Sequence, residues 1–330
     1  MSKVILSYSL FDQTDKKFDR SGHDPFNKNA NRYWMNLPFI SIVNKLCFPD
    51  SETYLYVPSD LKNNPMFFFL EQLNDAKFIN LQIVNKPHTG TEPTIWRMAA
   101  LWEKTDFCFC RDMDSILSPT EVKSMLHFIN TNNYWIHNIR SVKQHNVEGT
   151  SIMAGLCGFN APLLKEHLPL PNSFEQYEKF YKQLSKKRFF LDWRKDLQHI
   201  ANKDGQWGCD QETLINFFIK TRNQATINKI LDTYSQPPSN RVAPGFKGRV
   251  KRNDYYKLTS VDISTLSNTH MTGIDKNILT IMDKFIVWSG QPVNTSGGAL
   301  KSLLSLPLPD IKKMNDILQK NNKLKTFYKI

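Results

Sequence analysis

The chain has 330 residues and a formal net charge of +12, with 43 Lys and Arg against 31 Asp and Glu. A hydrophobic content of 40% and an aromatic content of 12% belong to a globular protein with one substantial core, which excludes a disordered or fibrous chain. No window approaches the roughly 18 uninterrupted apolar residues of a membrane span, and Met1 to Ser9 is too short an apolar segment for a secretion signal. The expectation is a cytoplasmic protein, in the host cytoplasm if the chain is viral, and the excess of positive charge points to a polyanionic partner. Cys47, Cys108, Cys110, Cys157 and Cys209 are widely scattered, a pattern of reduced core thiols with no disulfide framework or zinc cluster.

Val4 to Tyr8 reads as a first strand and Asp12 to Asn31 as a polar loop. Trp34, Leu37, Ile40, Ile42, Val43 and Leu46 predict a helix over Tyr33 to Cys47. Thr53 to Val57 is strand-like, Asn64 to Leu73 helix-like and Phe78 to Val84 strand-like again. Thr94 to Lys104 predicts a helix, with Thr91 or Thr94 as cap, that leads into the apolar run after Asp106. This alternation implies a parallel, doubly wound sheet over roughly the first 115 residues. No Gly-x-Gly-x-x-Gly follows the first strand and no Walker sequence occurs, which argues against dinucleotide oxidoreductases and P-loop enzymes.

Further on, Ser118 as cap, Pro119 at the first position and Glu121 at the capping-box position start a helix that runs to about Asn130. Tyr134 to Ile139 and Ser151 to Phe159 are strand-like, with the polar loop Arg140 to Thr150 between them. Ser173 to Tyr234 is mostly helical, and Ser235 to Lys257 is a Pro-, Gly- and Arg/Lys-rich loop.

Within this layout the segment Asp106-Phe107-Cys108-Phe109-Cys110-Arg111-Asp112-Met113-Asp114-Ser115 carries the chemistry. It reads as a buried strand with two carboxylates, Asp112 and Asp114, at its carboxyl end, where open α/β sheets place their ligands. Two aspartates one residue apart can share a hard cation, Mn²⁺ or Mg²⁺, that bridges to a diphosphate.

A strand ending in Asp-x-Asp resembles the signature of GT-A-type, metal-dependent nucleotide-sugar glycosyltransferases. Three further segments resemble the glycogenin-like retaining branch. Ile152 to Asn160, with Gly155, is similar to the segment beside the donor sugar; Cys209-Asp210-Gln211-Glu212-Thr213-Leu214-Ile215-Asn216 resembles the Asp-Gln motif; Phe285 to Pro292 faintly resembles the segment that closes on the diphosphate. That last segment departs from the family in having Ile286, Val287 and Trp288 where a histidine ligand is usual; His270 in the preceding loop is the candidate substitute, with a lone surface histidine as the alternative reading. A set of bacterial and large-DNA-virus or phage GT-A-like proteins is also similar locally, through Trp96-Arg97, Arg111 to Ser115 and His137-Asn138-Ile139-Arg140, with His145 further on. Ser141 stands where an acidic residue often follows that arginine, which puts the acceptor chemistry in doubt.

The resemblance implies a GT-A-like, Rossmann-like, mostly parallel central sheet flanked by helices, with a helical C-terminal part. It implies a nucleotide-sugar-binding half at 1–115 and an acceptor-binding half at 116–330 containing the basic loop 235–257, together one continuous domain with a C-terminal extension. The implied activity moves a sugar from a nucleoside-diphosphate sugar, a UDP-sugar by expectation, to an acceptor hydroxyl, with retention preferred over inversion. Asp112, Asp114 and His270 would hold Mn²⁺ or Mg²⁺. Ser7, Tyr8, Ser9, Arg32, Asn36, Arg97, Arg111, Asp112 and Gly155 would bind the donor, and Asp210, Gln211 and His137 would serve catalysis, with His137 and His145 as bases if the reaction inverts.

Arg140, His145, Lys247, Arg249, Lys251 and Arg252 would meet the acceptor; with Tyr255 and Tyr256 among the basic residues, the loop suits phosphate contact and base stacking. A hydroxymethylated base in phage DNA is one acceptor, and an anionic glycan or lipid-linked sugar is the other. Two alternatives stay open at this point. One is a non-catalytic nucleic-acid-binding protein; the other is a metal-dependent nucleotidyltransferase or phosphohydrolase, which would need Glu121 or Asp106 as a third carboxylate.

Overall fold

The computed structural model describes residues 2–11, 31–87, 92–113, 116–117, 119–131, 134–138, 154–167, 172–186, 210, 214 and 298–330. Its strands are β1 (Val4–Ser9), β2 (Glu52–Pro58), β3 (Asn80–Val84), β4 (Phe107–Arg111), β5 (Ile136–Asn138) and β6 (Leu156–Asn160). The helices are α1 (Asn31–Cys47), α2 (Phe67–Asp75), α3 (Pro119–Thr131), α4 (Ala161–His167), α5 (Phe174–Lys186), α6 (Gly298–Leu304), α7 (Pro309–Gln319) and α8 (Asn322–Tyr328). The strands form one mixed, mostly parallel sheet in the order β3-β2-β1-β4-β6-β5, flanked by helices, as the α/β pattern predicts.

Pairing explains that order. β2 and β3 run parallel, with Val57 opposite Ile83, whereas β6 runs antiparallel to both β4 and β5. β1 and β4 start side by side: Asp106 N and Phe107 N donate to the Lys3 carbonyl at 2.9 and 3.1 Å, and Lys3 N donates to Asp106 Oδ2 at 2.7 Å. The chain therefore moves outward from β1 through β2 to β3 and returns on the other side of β1 as β4. That reversal is a topological switch point, and the carboxyl ends of β1 and β4 flank it.

Asp106 is thus fixed to the amino end of β4. Asp112 is six positions further on, about 20 Å along an extended chain, so Asp106 does not complete an acidic triad there.

By contacts the chain falls into two compact units that interleave along the sequence and do not divide at residue 115. One comprises Met1–Ile5, Thr89–Arg111 and Lys123–His270; the other comprises Leu6–His88, Asp112–Val122 and Met271–Ile330. In the first unit, all five residues of β4 are buried, because each face of the strand is covered. Phe107 and Phe109 meet Phe128 of α3 at ring distances of 5.6 and 5.9 Å. On the alternate face Cys110 Sγ lies 3.3 Å from Met98 Sδ.

Met98 belongs to Glu92–Trp102, which is a 3-10 helix where the sequence predicts an α-helix from Thr94. Buried Ile95, Met98 and Leu101 recur every third residue, which matches three residues per turn. α5 docks against this helix through Trp96 Nε1, which donates to Glu178 Oε1 at 3.1 Å, and through Lys182 and Glu92 at 3.3 Å. The helix α4 was not evident from hydrophobic period, but its start is local: Asn160 Oδ1 accepts from Leu163 N at 3.3 Å, as an N-cap residue does.

In the second unit α1 is buried almost all round, including Trp34, Leu37, Phe39, Ile40, Ile42 and Val43, the composition of an internal helix. The C-terminal helices close over this unit. Ile311, Met314 and Leu318 of α7 form its buried stripe, Lys313 Nζ donates to the Ala76 carbonyl just beyond α2 at 2.7 Å, and Asn321 caps α8 by accepting from Lys323 N at 2.9 Å.

One glycine is demanded by packing. Gly158 of β6 lies opposite Phe109 of β4 and His137 of β5, and a Cβ there would come within 2.6 Å of Phe109 Cε1. Gly158→Ala is expected to lower stability by about 1–3 kcal/mol in urea unfolding. Phe109→Leu in the same background should recover part of that loss; full stability in Gly158→Ala alone would contradict the packing.

Candidate active site

The switch point assembles its residues from the second unit. Lys3 stands level with Asp106, so six residues on, in parallel strands, Ser9 at the end of β1 stands level with Asp112 just beyond β4. Asp112 is half-buried. Asn36 of α1 is fully buried, and its Nδ2 donates to the Met113 carbonyl at 3.0 Å. Met113 itself is buried. The Ser9 hydroxyl and Asn36 Oδ1 are both buried with no hydrogen-bond partner among the described residues. Buried polar groups without a partner are costly.

Ser7 and Tyr8, expected at the nucleobase or ribose, are corrected in part. Tyr8 points into the core, where its hydroxyl and Asn44 Oδ1 are 3.2 Å apart and Asn44 Nδ2 donates to Thr53 Oγ1 at 3.1 Å. Ser7 is fully buried within β1. Strand alternation puts Ser7 and Ser9 on one face and Tyr8 on the other, and only Ser9 combines that face with the strand end. Arg32 falls in the first turn of α1.

A second polar cluster belongs to the first unit. Arg97, on the 3-10 helix, donates through one terminal nitrogen to Asp210 Oδ2 at 2.7 Å and through the other to the Arg111 carbonyl at 3.2 Å. Both side chains are largely sheltered, Arg97 at 6% and Asp210 at 14% exposure. These contacts engage both terminal nitrogens of the guanidinium and fix Asp210, a strong constraint because removing either partner leaves a charge in the interior. Arg97 is therefore a partner of Asp210 and not a free diphosphate ligand, and Arg111, also expected there, has its side chain buried.

His137 requires a clear correction as a catalytic base. Its ring is buried against Phe109 and Phe128, with centroids at 5.5 and 5.3 Å, and its Nε2 lies 2.7 Å from Ser124 Oγ. Burial, with the charge of Arg111 adding to it, lowers its pKa from 6.5 to about 3. It is a neutral core histidine in this structure.

Cys47, Cys108, Cys110 and Cys157 are free and buried. Burial pushes the Cys47 thiol up to about 12. Cys108 is raised by its contact with Cys110 and by burial, and Cys157 chiefly by burial, so these are packing thiols and not nucleophiles. Gly155 is a buried turn residue leading into β6; the close approach in this segment is made at Gly158.

Asp114, Gln211, Arg140, His145, His270, Lys247, Arg249, Lys251, Arg252 and the whole 235–257 loop lie outside the described residues. Among the described residues no three His, Cys, Asp or Glu side chains come together in a group able to hold a metal ion. Of the residues expected to hold Mn²⁺ or Mg²⁺, Asp112 alone is described, and a carboxylate is the hard oxygen donor such an ion prefers. No helix among the described residues is long and apolar enough to cross a membrane.

No protein-family model matches the chain, and no curated protein matches its sequence significantly. Solved structures similar to it include S. aureus TarS 1–349 in complex with UDP-GlcNAc, at 11% identity over 99% of this chain and 73% of that one, with a TM-score of 0.39. S. aureus TarS 1–349 is also similar in a second structure, at 12% identity over 70% and 80% of the two chains and a TM-score of 0.35. The mannosyltransferase PcManGT from Pyrobaculum calidifontis, in complex with GDP-Man and Mn²⁺, is similar at 10% identity over 69% and 72%, with a TM-score of 0.32. Identities and TM-scores of this size establish no family membership.

The state of His137 has a pH consequence. The folded chain protonates it only near pH 3, whereas the unfolded chain does so near 6.5, so between these values the unfolded state holds more protons and stability rises with pH. Lowering the pH from 8 to 5 should remove about 2 kcal/mol through this group. Urea titrations of wild type and His137→Gln should differ by that amount in their pH dependence; equal slopes would show that His137 reaches solvent.

Proposed function

We propose that this protein is a GT-A-like glycosyltransferase that moves a sugar from a nucleoside-diphosphate sugar to an acceptor hydroxyl, with Mn²⁺ or Mg²⁺ as cofactor. The observation that carries this reading is the placement of Asp112, first of the Asp-x-Asp pair, level with the end of β1 at the switch point. Ser9 Oγ, at the end of β1, and Asn36 Oδ1, whose amide nitrogen bonds the Met113 carbonyl, are buried with no hydrogen-bond partner among the described residues. Hydroxyls of a ribose or N–H groups of a nucleobase have the donor chemistry to satisfy both.

Asp112 and Asp114 would hold the cation, with His270 as the third protein ligand. Bound there, it would neutralise charge developing on the departing diphosphate. Transfer breaks the bond between the anomeric carbon and the phosphate oxygen and forms one to the acceptor oxygen, whose proton must leave. Asp210, held by Arg97, is the group for orienting the donor sugar or the acceptor hydroxyl, and Gln211 follows it for the oxocarbenium-like transition state. With His137 in the core, no histidine base is available from β5. This favours retention, in which the leaving phosphate accepts the acceptor proton.

The net charge of +12 favours a polyanionic acceptor, and the hydroxymethylated base of a phage DNA is the specific one to test, with an anionic glycan as its competitor. A UDP-sugar is the first donor to try. A thermal-shift series of UDP, GDP, CMP and their sugars, each with and without Mn²⁺, should show a metal-dependent rise of about 2–4 °C for one nucleotide at saturation. Asp112→Ala and Asp114→Ala should abolish it. A shift from duplex DNA alone, unaffected by Mn²⁺ or by these substitutions, would support a nucleic-acid-binding protein in its place.

A further inference from the structure

Near its middle, α1 contains Pro38. Proline has no N–H, so the carbonyl of Trp34, four residues earlier, loses its regular helical partner. That carbonyl is satisfied from the far end of the chain: the Tyr328 hydroxyl of α8 donates to Trp34 O at 2.8 Å. Tyr328 is almost completely buried, and its ring meets Phe69 of α2 edge-on at 5.8 Å. Two residues along α1 from Trp34 is Asn36, whose Nδ2 donates to the carbonyl of Met113, the residue between the two aspartates. All of these groups belong to the same compact unit.

From this connection we infer that Asn36 is a positioning residue for the Asp-x-Asp segment and that Tyr328 holds α1 in the shape that delivers it. The inference rests on the donor-site reading above. The hydrogen bond to Met113 O restrains the ψ torsion of Met113, which lies between the two carboxylate-bearing residues. Tyr328 acts one step back. It completes the carbonyl that Pro38 leaves open, so the turn of α1 carrying Asn36 keeps its conformation without recruiting water. The C-terminal helices thereby reach the donor site through a defined pair of hydrogen bonds, although Tyr328 lies 292 positions beyond Asn36 in the sequence.

Two variants test the link, Asn36→Leu and Tyr328→Phe; the second removes a single oxygen and keeps the buried ring. Two readouts are taken on each full-length protein at a temperature where far-ultraviolet circular dichroism shows it folded. The first is hydrogen exchange of the peptide spanning Asp112 to Leu117. The second is titration of Mn²⁺ with UDP, or with whichever nucleotide wild type prefers. Both variants should exchange faster in that peptide, while β6, in the other unit, exchanges at the wild-type rate. Nucleotide dissociation constants should rise about threefold for Tyr328→Phe, which touches no ligand and so reads the positioning alone, and about tenfold for Asn36→Leu, which also removes the Oδ1 offered to the nucleotide.

A merely structural role would lower the melting point and leave the dissociation constants of the folded variants unchanged; that result overturns the inference. Unchanged exchange in Tyr328→Phe also overturns it, even if Asn36→Leu fails to fold. If wild type binds no nucleotide, the donor-site reading fails, and with it the functional half of the inference, while the exchange arm still decides the mechanical link.

Discussion

The arrangement depends on β4 being buried on both faces while its chain emerges at one end. Phe107 and Phe109 pack under α3, Cys108 and Cys110 turn to the other side, and β1 and β6 close the two edges. Such a strand has no freedom of register, because a slip of one residue would exchange its phenylalanines for its cysteines. At its amino end Asp106 is tied to Lys3, which sets β4 against β1. The position of Asp112 at the switch point follows from that fixed start and the fixed length of the strand.

Charge is distributed accordingly. The arginines nearest the aspartate pair in sequence are internal: Arg97 is committed to Asp210, and Arg111 lies buried where it opposes protonation of His137. Among the described residues, Ser9 Oγ and Asn36 Oδ1 are buried with no hydrogen-bond partner. Asp210 is held by a sheltered ion pair with Arg97 that limits its freedom.

Much of this fold could be read from the sequence because its signals are local. The alternation in Phe107 to Arg111, the apolar spacing of α1 and the proline-initiated start of α3 each specify an element within a few residues. The 3-10 geometry of Glu92–Trp102 was hidden, since Ile95, Met98 and Leu101 fit one face of either helix type. Interleaved units were also hidden, because they arise from contacts between distant segments. The places of Ser9 at a strand end, Asp112 just beyond one and Asn36 on the first helix were legible in the same way. Tyr8, Arg97, Arg111 and His137 were not, because sequence shows that a side chain is polar and not whether the fold has already given it a partner. His137 carried a warning in retrospect: it is flanked by Trp135 and Ile136, both buried.

The measurement that tests the central claim most directly is metal-dependent release of nucleoside diphosphate from a panel of nucleotide sugars, followed for wild type and Asp112→Asn. The account predicts that one nucleotide sugar is consumed in the presence of Mn²⁺ or Mg²⁺, that chelation stops the reaction, and that Asp112→Asn is inactive while remaining folded. Absence of turnover across the panel with either metal and with DNA or glycan acceptors present, or equal turnover in Asp112→Asn, would contradict it.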